Sequence, residues 1–152
     1  MSRLRGRVQS GNGDAAHWLA KFNAAYAHKV GQPIFPGSLN IALPEPFDWF
    51  APDHIRRTIW FGRDEYGGER DILLIPCRLV SLNNELAWLW TPTTAVRDRS
   101  DPWVVEVIAT RGLRSEFGLI DGSIIELELL ETHDAHRPPN DAHPGPARLL
   151  GR

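Results

Sequence analysis

Apolar and polar positions alternate as soon as the chain begins: Leu4, Gly6 and Val8 interleave with Arg3, Arg5 and Arg7 in "RLRGRVQ". A two-residue period predicts a strand with one buried face. The period changes after "SGNGDA", residues 10 to 15. From there Trp18, Leu19, Phe22, Ala25, Tyr26 and Val30 recur at steps of three and four, which predicts a helix of about four turns with Asp14 as its N-cap and Gly31 as its stop. Alternation returns in Leu39, Ile41 and Leu43, and is interrupted by the proline-containing acidic connection "PEPFDWFAPD". Further strands are predicted at "IRRTIWF", "RDILLIPCRLV", "NELAWLWT", "WVVEVIA" and "SIIELELL". Turn signals separate them at "YGGE", at Asn83-Asn84 and at Asp121-Gly122, and a short helix is predicted around "RGLRSEFG". Short strands with only one long helix point to a mainly β fold closed into a barrel, because closure removes the unpaired edges such strands would present.

Composition narrows this further. At 152 residues with 42% apolar side chains, the chain has enough for one core, so a domain over residues 1–131 is expected. Residues 132–152, "THDAHRPPNDAHPGPARLLGR", lose the periodicity and read as a proline- and histidine-rich flexible tail. His133, His136 and His143 could bind a transition metal there, or be simply solvated. The 17 basic and 19 acidic residues are dispersed to a net charge of −2, which argues against nucleic acid as a partner. Cys77, the single cysteine, sits in an apolar run and reads as a buried, inert thiol without a disulfide or zinc partner. No apolar run approaches the ~18 residues that span a bilayer, and the N-terminus lacks a signal-peptide stretch. A cytoplasmic protein, monomeric or a small homo-oligomer, is expected.

Three constellations could carry chemistry. In "SGNGDA" two glycines between a strand and a helix let backbone amides approach an anion, and the helix N-terminus favours negative charge. A strand-to-helix turn also needs glycine for geometry alone, and the pattern is neither a P-loop nor the dinucleotide fingerprint. In "FPGSLNIAL", residues 35 to 43, an extended backbone puts the Ser38 hydroxyl and the Asn40 amide on one face and Leu39 on the other. Two neutral oxygens suit Mg²⁺ that arrives on a nucleotide and takes its other ligands from phosphate and water; a hydrogen-bonded turn is the plainer reading. In "VVEVIATRGLRSEFGLIDG" the carboxylate of Glu106 stands among apolar neighbours, with Arg111 and Arg114 three residues apart beyond it. That pair could accept a proton and bind phosphate, or be ordinary surface charges.

Taken in order, "GRVQSGNGDA", "GQPIFPGSLNIAL" and "VVEVIATRGLRSEFGLIDGSIIELEL" resemble the archaeal CTP-dependent riboflavin kinases, whose members carry Gly-x-Gly-Glu-Gly, then Gly-Thr-Leu-Asn, then Glu-Ile-Ile-Ala-Pro, Leu-Arg and Asp-Gly-Asp. The similarity runs over about residues 4–130. It implies a six-stranded cradle-loop β-barrel with one long and one short helix, moving the terminal phosphoryl group of CTP to the 5′-hydroxyl of riboflavin to give FMN and CDP with Mg²⁺. It maps the metal ligands onto Ser38 and Asn40, and the phosphate loop onto Gly11, Asn12, Gly13, Asp14 and Ala15. On this reading Glu106 orients or deprotonates the flavin hydroxyl, Arg114 binds phosphate or braces the loop, and Thr93 and Thr94 border the acceptor.

The chain departs from the family at several of these places. Asp14-Ala15 stands for Glu-Gly, shortening a carboxylate and adding a methyl group; Ser38 stands for threonine; Thr110 stands for proline. In "TPTTAVRDRSDPW" the family's Pro-x-x-Thr-x-His has lost its histidine, and the link is longer by about three residues. A non-catalytic flavin- or nucleotide-binding barrel, and a kinase of the same mechanism acting on another small alcohol, are the alternatives the residues leave open.

Overall fold

The computed structural model describes residues 2–11, 13–94 and 101–132. Among them the order is β1 (Arg3–Gln9), α1 (Asp14–Lys21), α2 (Asn23–Val30), β2 (Leu39–Ala42), α3 (Pro52–Ile55), β3 (Ile59–Phe61), α4 (Arg63–Tyr66), β4 (Ile72–Leu79), β5 (Glu85–Pro92), β6 (Val104–Ala109), α5 (Leu113–Phe117) and β7 (Ile124–Leu129). Strands β4-β5-β6-β2-β1-β7 pair antiparallel in that order, and β7 returns to β4 through Cys77 opposite Leu129 and Leu79 opposite Leu127, which closes a six-stranded barrel. Strand β3 adds outside the ring on the same edge of β4, with Ile59 opposite Leu74. Pro76, which has no N–H to donate, lies between the stretches of β4 paired with β3 and with β7.

The burial of β4 and β5 follows from two cores, one on each face of the barrel wall. Inward side chains Leu73, Ile75, Cys77, Leu79, Ala87, Leu89, Val105, Val107, Ile125 and Leu127 fill the barrel. Their outward neighbours Ile72, Leu74, Leu86, Trp88, Trp90 and Ile108 meet Leu19, Tyr26 and Val30 of the helices. A strand covered on both faces needs no polar alternation, which accounts for the continuous runs "ILLI" and "LAWLW". Where no helix covers the wall the alternation is strict: β7 turns Glu126 and Glu128 outward, and Glu126 pairs with Arg5 at 3.3 Å.

The single long helix expected from the sequence is two helices of eight residues each. Phe22 leaves the helical region at φ −108°, ψ 26°, while still donating its N–H to the Trp18 carbonyl at 3.0 Å. The Asn23 amide then donates to the carbonyl of Ile34 at 2.7 Å, fixing the start of α2 to the segment that leads into β2. One irregular residue leaves the three- and four-residue spacing intact, so periodicity reads through the break. Asp14 is the first helical residue and Gly13, at φ 81°, is the cap, whereas Gly31 ends α2 at φ 83° as expected. "IRRTIWF" is a strand only from Ile59; its first residue ends α3. Asn83 and Asn84, both with positive φ, make the tight turn between β4 and β5.

Cys77 is fully buried inside the barrel, and burial pushes its thiol up to about 12. Alkylation at pH ~8 is therefore expected to proceed only as fast as the barrel opens. Mass-spectrometric labelling in rising urea should show Cys77 reacting together with the unfolding transition; rapid labelling of the native protein would contradict this placement.

Candidate functional site

Strand β2 has four residues, yet it pairs on both sides: with β1, where Asn40 lies opposite Gln9, and with β6, where Asn40 lies opposite Glu106. Leu39 and Ile41 point into the barrel and are 4% and 1% exposed. The pleat therefore sends Asn40 to the outer face, together with Glu106, which shares the outward parity of Ile108. Ser38, just before the strand, donates its hydroxyl to Glu106 Oε1 at 2.8 Å.

The glycine turn lies directly against this group. A Cβ on Gly11 would stand 2.2 Å from Asn40 Nδ2 and 3.2 Å from Asn40 Oδ1, so a larger residue there would have to push the Asn40 amide aside. Gly13 enters α1 in the left-handed region. Asp14 then starts the helix near enough to Glu106 that its charge acts on it. Burial, reinforced by the Asp14 charge and opposed by the Ser38 hydrogen bond, raises the Glu106 carboxyl above its ordinary range. Ala15 is 5% exposed and packs in the helix-side core, so its methyl group points away from the turn. Asn12, expected in the same loop, lies outside the described residues.

Of the residues singled out in the sequence, Gly11, Asp14, Ser38, Asn40 and Glu106 come together around β2, and Arg111 and Arg114 line one cleft with Ser38. Arg114 on α5 gives its guanidinium to Asp121 at 2.6 Å. Arg111 precedes that helix and pairs with Glu85 and Glu116, each at 3.2 Å, so the two arginines engage different acids although both line the same cleft. Thr93 and Thr94 follow β5, where the Thr93 N–H bonds the Asp71 carbonyl and Arg70 reaches the Thr94 hydroxyl at 3.4 Å. The Arg70 guanidinium also lies 5.9 Å from the Trp18 ring centre. His133, His136 and His143 lie outside the described residues.

The structure adds a cleft that sequence reasoning missed. It has a volume of about 240 Å³ and runs between Phe35, Gly37 and Ser38 on one side and Val107, Gly112 and Leu113 on the other. Phe35, 45% exposed, covers Gly112 so closely that a Cβ there would be 2.9 Å from its ring. Its N–H is held by the Ala109 carbonyl at 2.8 Å. The signal available was two glycine-containing segments, "FPGS" and "RGLR", but nothing in either shows that they face each other.

Among the described residues no group of three His, Cys, Asp or Glu side chains could hold a metal ion. The Ser38 hydroxyl, the Asn40 amide and the Glu106 carboxyl, with Asp14 close by, nevertheless offer several oxygens on one surface. Such a surface fits a hard divalent cation that brings phosphate ligands with it. No helix of the described residues is long and apolar enough to cross a membrane.

The family model for CTP-dependent riboflavin kinases, described as "Domain of unknown function DUF120", matches residues 8–129. The chain belongs to the CTP-dependent riboflavin kinase family. Relatives named riboflavin kinase include one from Pyrobaculum aerophilum, 31% identical over 136 residues covering 84% of this chain and 60% of its own. One from Methanocella arvoryzae is 28% identical over 131 residues, covering 83% and 56%. A third, from Archaeoglobus fulgidus, is 25% identical over 135 residues, covering 84% and 54%. The chain thus spans little more than half the length of these curated relatives. The family match covers β2, β6 and most of the glycine-turn side of the barrel, which are the elements that build the cluster.

Glu106→Gln keeps an acceptor for Ser38 while removing a partly buried charge next to Asp14. The thermal midpoint of this variant is expected to equal or exceed that of the parent. Glu106→Ala, which leaves the Ser38 hydroxyl without its acceptor, should lower the midpoint, reflecting ~1–2 kcal/mol of lost stability. Differential scanning calorimetry of the three proteins decides; a clear loss in the Gln variant would mean that the charge itself supports the fold.

Proposed function

We propose that this chain is a riboflavin kinase that transfers the terminal phosphoryl group of CTP to the 5′-hydroxyl of riboflavin, giving FMN and CDP, with Mg²⁺. The observation that carries the reading is the contact of Asn40 with Gly11, next to the Ser38–Glu106 hydrogen bond. A phosphate-accepting turn, a pair of cation ligands and a proton acceptor then meet on one patch of the barrel wall. Phosphoryl transfer asks the protein mainly for positioning and charge neutralisation, so these few groups suffice without a P-loop.

In this reading Gly11, Gly13 and the N-terminus of α1 hold the phosphates, with Asn12, Asp14 and Ala15 completing the loop the family uses. Ser38 and Asn40 would hold Mg²⁺, whose contribution when bound is to neutralise the triphosphate. Glu106 has one oxygen engaged by Ser38 and offers the other to the acceptor hydroxyl. The hydroxyl loses its proton as its oxygen bonds the terminal phosphorus, and the bridging P–O bond breaks with its electron pair leaving on CDP. The Phe35 cleft, at about 240 Å³, suits the single ring of a pyrimidine better than the three rings of a flavin. Thr93 and Thr94, beside Arg70 and Trp18, are then left to border the acceptor. The missing histidine in "TPTTAVRDRSDPW" favours a second reading, the same transfer to another small alcohol.

Purified protein, Mg²⁺, riboflavin and either CTP or ATP should yield FMN by chromatography. A lack of FMN with every nucleotide defeats the riboflavin assignment, and a phosphorylated product from a panel of small alcohols would then support the second reading. Asn40→Ala is expected to lower kcat by roughly ten- to a hundred-fold while the thermal midpoint stays close to the parent's. Unaltered turnover in that variant would remove Asn40 from the cation site.

A further inference from the structure

Ser10, the residue before the glycine turn, is tied to a carboxylate 111 positions away: its hydroxyl lies 3.1 and 3.0 Å from the two oxygens of Asp121. Asp121 Oδ1 also receives the Arg114 guanidinium at 2.6 Å. Arg114 is part of the wall of the Phe35 cleft. One carboxylate thus joins the glycine turn to the cleft, the two surfaces assigned above to the two ends of the nucleotide. The backbone around Asp121 is itself pinned to β1. The Gly122 N–H donates to the Val8 carbonyl at 2.8 Å, the Val8 N–H donates to Ser123 at 2.9 Å, and Arg7 reaches the Gly122 carbonyl at 3.2 Å. An exposed ion pair between two free-moving side chains contributes little. Here the carboxylate is presented by a fixed turn, so less freedom is lost in making both contacts. Arg114 first, then Ser10, holds the Asp121 carboxyl below its usual range, as a carboxylate gripped from both sides requires.

We propose that Asp121 is a positioning residue for the donor nucleotide: through Ser10 and Arg114 it sets the glycine turn at a fixed distance from the cleft before the nucleotide binds. The 2.6 Å contact assigns Arg114 to this brace rather than to direct phosphate binding in the free protein. The proposal rests on the kinase reading for its effect on turnover but not for the brace itself. Preorganising a two-part site lowers the entropy lost on binding, so the effect belongs in nucleotide affinity rather than in the chemical step.

The test uses Asp121→Ala, Asp121→Asn and Ser10→Ala in the full chain. Amide hydrogen exchange of the nucleotide-free protein should rise several-fold at Gly11, Gly13 and Asp14 in Asp121→Ala and Ser10→Ala, with β4 and β5 unchanged. Asp121→Asn, which keeps an oxygen acceptor for Ser10, should fall between these and the parent. In the assay, KM for CTP should rise roughly five- to ten-fold in Asp121→Ala, with kcat and the riboflavin KM within about two-fold. Unchanged exchange at the turn would overturn the brace, and equal losses in kcat and both KM values would overturn its positioning role. If the parent makes no FMN with any nucleotide, the kinase reading falls while the exchange measurement still decides the brace. Should Asp121→Ala fail to fold, Asp121→Asn and Ser10→Ala carry the same comparison.

Discussion

Everything placed at the site depends on β2 being held between two partners. A strand of four residues has too few hydrogen bonds and too little buried area to keep its own register. It is fixed because Leu39 and Ile41 must point into the barrel, and a slip of one residue would turn both into solvent. The same constraint that buries the two apolar residues forces Asn40 outward, opposite Glu106 on one side and Gln9 on the other. The site is thus a by-product of core packing: the residues that fill the barrel determine where the polar residues between them must stand.

Glu106 shows what this arrangement costs. On the outer wall, its neighbours along β6 and β5 are covered by α1 and α2, and Trp90, directly opposite it, is 5% exposed. A carboxylate at the margin of that helical cover loses hydration, and Asp14 adds like charge. The Ser38 hydroxyl compensates only in part. A fold under selection for stability alone has no reason to keep two acids here, and the tension between them is the sort of local conflict that marks a functional surface. On the kinase reading, a cation brought in with the nucleotide phosphates would relieve it.

The strands were legible because each signals itself locally. Arg3–Gln9 alternates, Asn83-Asn84 and Asp121-Gly122 punctuate, and the apolar runs of β4 and β5 are bounded by turns. The break at Phe22 was not, since its cause is a hydrogen bond from Asn23 to Ile34, a contact that periodicity does not encode. At the site, Ser38, Asn40 and the glycine turn were legible as residue types in an expected order, and the parity of β2 predicted that Ser38 and Asn40 would share a face. What lay beyond reach was every long-range pairing. Ser10 with Asp121, Arg114 with that same carboxylate, and Phe35 across Gly112 join segments whose spacing in the chain carries no information about their distance in space. The two arginines show the same: three residues apart in the chain, they line one cleft, but nothing in their spacing tells that Arg111 pairs with Glu85 and Glu116 and Arg114 with Asp121.

The places where the chain departs from its family's pattern can be judged from their surroundings. Ala15 in place of glycine would threaten a phosphate loop if its methyl group faced the turn, yet it lies in the core beneath α1 with Leu19 and Tyr26, where an added methyl increases apolar contact. Shortening glutamate to aspartate at position 14 keeps the charge within electrostatic range of Glu106. Serine in place of threonine gives up the rotamer restriction of a branched side chain, but the hydrogen bond to Glu106 supplies a restriction of its own. Each substitution is therefore absorbed by a neighbour that is itself part of the cluster or of the core below it. The loop that has lost its histidine, by contrast, begins at Thr93 and Thr94, beyond the end of β5 and away from these compensating contacts.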